Sequence, residues 1–143
     1  MNDIMIREAL ERLQAEIDPV TRIRLKPEKS VLVEALTVFE RCRVEPLRRP
    51  RLLAIYTILA SAFARHSEPL ELDDTELTRR ILDGDYLYSL YIQYALKCKE
   101  ESLLRELSPF VKKIQIARAL GQDEQVPLLS AFEQILLNRK EAN

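Results

Sequence analysis

Apolar residues recur along the chain at three- and four-residue intervals, and prolines cut the pattern into pieces. From about Asp3 to Glu16, Ile6, Leu10, Leu13 and then Ile17 share one helical face. Pro19 and Pro27 bracket a short connection. A second helix is predicted from about Glu28 to Arg43, with Val31, Leu32, Ala35, Val38, Phe39 and Cys42 inward. Pro46 and Pro50 bound a basic link, and a third helix from about Arg51 to Arg65 turns Leu52, Ile55, Tyr56, Leu59, Ala60 and Phe63 inward. His66 to Asp74 reads as a loop. A fourth helix, about Thr75 to Cys98, starts on Asp73 as cap with Glu76 three residues on. Glu100 to Leu107 makes a fifth. Ser108 and Pro109 then read as the cap and first residue of another helix ending at Gly121, with one continuous helix kinked at Pro109 as the other possibility. The last helix starts near Pro127 and carries Leu128, Phe132, Ile135 and Leu136.

Composition agrees with this pattern. The chain has 143 residues, the size of one domain spanning 1–143, and only two glycines, few for the turns of a β-sandwich or doubly wound sheet. An all-α domain of six to seven helices is expected. Acids and bases nearly cancel at a net charge of −1, which gives no reason to expect nucleic acid as a partner. No apolar run approaches the ~20 residues that span a bilayer, and the N-terminus lacks an apolar signal segment, so a cytoplasmic protein is expected. Cys42 and Cys98 sit in helical patterns and read as reduced, packed thiols.

The fourth helix departs from an ordinary surface helix. It holds four of the five tyrosines, Tyr86, Tyr88, Tyr91 and Tyr94, and one of the two glycines, Gly84. Asp85, Ser89, Gln93 and Lys97 form a narrow polar stripe at four-residue steps. The apolar arc around them covers about 200°, against ~100° for a helix that packs on one side. Leu77, Ile81, Gly84, Tyr88, Tyr91 and Ala95 are spaced 4, 3, 4, 3, 4, the spacing of a helix–helix seam. On that seam Gly84 would let another backbone approach. The helix is either a central one wrapped by its own domain or one divided between its own core and a partner, and tyrosine suits the second because its ring and hydroxyl serve a half-wet interface.

Residues 78–96, "TRRILDGDYLYSLYIQYAL", resemble the Gly-Asp-Tyr-Leu helix of the all-trans polyprenyl diphosphate synthases. The likeness is to the small subunits of heterodimeric hexaprenyl diphosphate synthases, short relatives of component I of heptaprenyl diphosphate synthase. Its specific part is Gly84 to Leu87 and the helix that follows. Catalytic members carry two Asp-Asp-x-x-Asp motifs that hold Mg²⁺ against an allylic diphosphate. Here Asp73-Asp74 is followed by Thr75, Glu76 and Leu77, so the last carboxylate is missing and the pair reads as a helix cap. The family's Gly-Gly-Lys-Arg-x-Arg-Pro segment has an echo in Leu47-Arg48-Arg49-Pro50-Arg51, without the glycines or the lysine.

The resemblance thus implies a subunit that keeps the packing without the chemistry. It would hold no catalytic residue, cofactor or metal of its own. It would pair with a catalytic subunit carrying the aspartate motifs and Mg²⁺, touch the prenyl chain, and help set product length in isoprenoid quinone side-chain synthesis. In the homodimeric relatives this helix and the next lie at the dimer interface beside the tunnel for the growing chain. Carried over, Leu77, Ile81, Gly84, Tyr86, Leu87, Tyr88, Tyr91, Ile92 and Ala95 would form partner interface and tunnel wall, with Tyr88, Tyr91 and Ile92 the large wall candidates.

Other constellations are weaker. His66, the single histidine, has no second ligand or nucleophile motif beside it and reads as a surface loop residue. Arg41, Arg43, Arg48, Arg49 and Arg51 form a dense basic stretch, which reads as solvated, as touching a partner, or as meeting phosphate. Without the resemblance, a helical adaptor or regulator of an unrelated complex fits the same pattern.

Overall fold

In the computed structural model, which describes residues 2–66, 73–121 and 128–141, six helices follow one another: α1 (Asn2–Glu16), α2 (Lys29–Arg41), α3 (Arg49–His66), α4 (Asp74–Lys97), α5 (Glu101–Ala119) and α6 (Leu128–Glu141). A 3₁₀ turn at Pro19–Thr21 lies between α1 and α2. The fold is all-α, and no strand occurs among the described residues.

The centre is α3. Every residue from Pro50 to Phe63 except Arg51, Ala60 and Ser61 is buried, and Leu52, Leu53, Ile55, Ile58 and Leu59 are sealed completely. The helix packs against α4, α1 and α2. Burial on all sides follows from the run Leu52 to Ala60, whose one polar residue, Thr57, satisfies its hydroxyl by donating to the Leu53 carbonyl at 2.7 Å. The second face of α2 closes on α6, where the Phe39 and Phe132 rings meet with centroids 6.3 Å apart. Leu36 joins the sealed core, whereas Val31, expected inside, is exposed, and its neighbour Leu32 is the first residue of α2 to be buried.

Two helix ends share one construction. After α2, Arg43 takes a left-handed conformation (φ 58°), its N–H donating to Glu40 and that of Val44 to Phe39. After α4, Lys99 (φ 60°) donates to Leu96 and Glu100 to Ala95. These are Schellman ends with a charged residue where glycine is usual. The predicted extension of α2 to Arg43 is shortened by this turn. At α5, Gly121 (φ 69°) ends the helix as expected.

The division of α5 at Ser108 is corrected. Residues 101–119 form one helix with Pro109 inside it, the alternative reading. Pro109 has no N–H to donate to the carbonyl of Arg105. Leu103, Leu107, Val111 and Ile114 are nonetheless buried along one continuous face, and that packing offsets the lost bond. Pro50, expected ahead of α3, lies in its first turn, where a missing N–H costs nothing.

Candidate functional site

The polar stripe of α4 is where the sequence puts it: Asp85, Ser89, Gln93 and Lys97 are all exposed. The apolar arc is divided between neighbours of the same chain. Leu87 and Ala95 are sealed in the common core, where α4 lies chiefly against α3. Tyr86 is half-buried, and its phenol oxygen accepts from the Asp18 N–H at 2.9 Å.

Tyr88, Tyr91 and Ile92 do something else. They form one wall of a 460 Å³ groove between α4 and α5. The opposite wall is Leu104, Arg105, Ser108, Pro109 and Val111. The Tyr88 and Tyr91 rings stand 5.8 Å apart at 43°. Burial pushes the Tyr91 phenol well above its ordinary pKa, so it remains a neutral, apolar wall element. Tyr94, one turn on, is raised to about 12 by burial and then by its hydrogen bond with Cys98. Apart from Arg105 and Ser108 the groove is lined by apolar and aromatic side chains, and no lining residue is a carboxylate.

The α5 side of the groove was missed by the sequence reading. Leu104, Ser108 and Val111 lie at i, i+4 and i+7 and share a face only when the helix runs through Pro109. Splitting the segment hid that face.

At the start of α4 the seam is uncovered. Leu77 and Ile81, one turn apart, are 44% and 46% exposed, and Leu82 beside them is 59% exposed. Gly84 is buried, yet no foreign backbone is needed to account for it. A β-carbon there would stand 2.4 Å from the His66 ring of the same chain. The close approach that Gly84 permits is thus met within the chain by the last residue of α3, and the reading of His66 as a loop residue is corrected. His66 ends α3, and its Nε2 lies 3.0 Å from Asp85 Oδ1 and 3.3 Å from the Ile81 carbonyl.

The arginine stretch is largely consumed within the chain. Arg41 pairs with Glu133 of α6 at 2.9 Å. Arg48 grips buried Glu100 through two bonds of 2.8 and 2.7 Å, clipping the start of α3 to the α4–α5 turn. Arg49 donates through Nε to the Val44 carbonyl. Arg51 is half-buried, and its Nε has no partner among the described residues. Asp73 caps α4, accepting from the Glu76 N–H at 2.8 Å. Its Oδ1 is thereby directed at the backbone, as the reading of the pair as a helix cap expects. Among the described residues no group of three or more His, Cys, Asp or Glu side chains is placed to hold a metal. No described helix is long and apolar enough to cross a membrane. No family model, curated protein or solved structure matches the chain.

Proposed function

We propose that this chain is the noncatalytic subunit of a heterodimeric all-trans polyprenyl diphosphate synthase of the hexaprenyl type. It pairs with a catalytic subunit that carries two Asp-Asp-x-x-Asp motifs and helps set product length in isoprenoid quinone side-chain synthesis. One observation carries the reading. Tyr88, Tyr91 and Ile92, the large α4 side chains that the resemblance assigns to a tunnel wall, line a groove whose other wall is Leu104, Arg105, Ser108, Pro109 and Val111 of α5.

The reaction is head-to-tail condensation of isopentenyl diphosphate onto an allylic diphosphate. The partner's aspartates hold the Mg²⁺ that neutralises the diphosphates. This chain's share is to exclude water from the growing tail and to hold it, at about 0.8 kcal/mol for each CH₂ buried. The exposed edge Leu77, Ile81 and Leu82 extends α4 beyond the groove as the surface the partner covers.

The test is co-expression with a protein bearing both aspartate motifs from the same genome. The two co-purify and condense isopentenyl diphosphate together, the single chain does not, and Leu77→Asp with Ile81→Asp weakens co-purification. Turnover by the purified single chain, or no association with such a partner, overturns the proposal. Association with an unrelated complex instead identifies a helical adaptor.

A further inference from the structure

A second cavity, of 670 Å³, shares no lining residue with the α4–α5 groove. It lies between the end of α1, at Gln14 and Ile17, and the connection that carries Arg22, Ile23, Arg24 and Lys26. The side chains of Arg22, Arg24 and Lys26 make no ion pair or hydrogen bond among the described residues, and no lining residue is acidic. This differs from the cations around them. Arg12 pairs with Glu8, Lys29 with Asp3, Lys97 with Glu16 and Arg79 with Asp83.

The connection that holds these cations is pinned. Arg79 Nη2 donates to the Thr21 carbonyl at 2.6 Å, the Ile23 N–H donates to Thr21 Oγ1 at 3.2 Å, and the Ile23 side chain is buried. Arg22 is held left-handed (φ 59°), a conformation uncommon for a residue other than glycine. Beyond it the alternation is strict: Ile23 and Leu25 turn inward, and Arg24 and Lys26 outward. The result is two guanidinium forks and one ammonium on a fixed edge, the donor set that receives phosphate oxygens.

We propose that Arg22, Arg24 and Lys26 form a binding site for phosphate groups carrying at least two negative charges. The proposal stands apart from the prenyl synthase reading. Two sources present this chemistry, a free diphosphate and the headgroups of an anionic bilayer.

The full chain is titrated calorimetrically with inorganic diphosphate and, in parallel, sedimented with phosphatidylcholine vesicles with and without phosphatidylglycerol. The variants are Arg24→Gln with Lys26→Gln, and Arg22→Asn, since asparagine tolerates the left-handed region. Lys112→Gln with Lys113→Gln, on exposed positions of α5, serves as the control. Binding is expected to fall at least about tenfold in the double variant and in Arg22→Asn, and to persist in the control. Loss in the diphosphate arm alone identifies a soluble ligand, and loss in the vesicle arm alone a membrane surface. No binding in either arm, or equal loss in the control, overturns the site. All five substituted positions are exposed, and unchanged circular dichroism separates lost binding from lost fold.

Discussion

The imidazole of His66 occupies the space that a side chain on Gly84 would need. Two of its ring atoms lie 2.4 Å from the point where a β-carbon would sit. Gly84 therefore keeps the end of α3 folded onto α4, and its cost as a helix-interior glycine, about 1 kcal/mol against alanine, has a local cause. Gly84→Ala alone is expected to gain that propensity and lose the His66 contact, leaving stability within about 1 kcal/mol of the parent. Combined with His66→Ala, it should stabilise by about 1 kcal/mol relative to His66→Ala alone. Urea unfolding of the four proteins measures the coupling, and strict additivity would show that the ring is not what Gly84 accommodates.

Lys99 and Arg43 occupy the helix-end position where glycine has no β-carbon penalty. Lys99→Gly should raise stability by about 0.5–1 kcal/mol, with the gain from the left-handed conformation reduced by the more flexible unfolded chain. Lys99→Ala keeps the β-carbon and should bring no such gain. The readout is the urea midpoint at constant slope.

Three buried tyrosines make the fold sensitive to alkali. Burial raises the pKa of Tyr56 and Tyr91, and Tyr94 reaches about 12. Their unfolded values lie near 10. Above that pH the unfolded state releases protons that the folded state still holds, so stability must fall as pH rises. The full contribution is present below about pH 10 and is lost upward toward 12, at up to about 1.4 kcal/mol per pH unit for each such tyrosine. Urea unfolding from pH 8 to pH 11 measures the fall, and Tyr91→Phe should flatten it. An unchanged slope in Tyr91→Phe would mean that this phenol ionises as freely in the fold as in the unfolded chain.

What the sequence disclosed about α4 was its exposure, not its neighbours. The stripe Asp85, Ser89, Gln93 and Lys97 is exposed as read, and Asp73 caps the helix as read. An apolar residue reports that it will be covered and is silent on what covers it. Leu87 and Ala95 went to the core and Gly84 to His66, while Leu77 and Ile81 stayed open. The central helix was legible in the nearly unbroken apolar run of α3, yet the tyrosines drew attention to α4. Arg48 and Glu100 are 52 residues apart, and no local pattern announces a pair at that separation. Pro109 hid the continuity of α5, because a proline's usual effect is to end a helix.

The central claim, that Tyr88, Tyr91 and Ile92 bound the space for a growing prenyl chain, is tested most directly by the products of the assembled enzyme. Leu87 and Ala95 are sealed in the core, so enlarging them would disturb packing rather than narrow the groove. The informative substitutions are at the lining: Tyr88→Ala removes bulk from the α4 wall, and Leu104→Phe adds it to the α5 wall. Both are co-expressed with the proposed partner bearing the two aspartate motifs, and the dephosphorylated products are separated by chromatography. Tyr88→Ala should shift the distribution toward longer prenyl chains and Leu104→Phe toward shorter ones. An unchanged distribution from both, in complexes that assemble and turn over normally, would contradict the account.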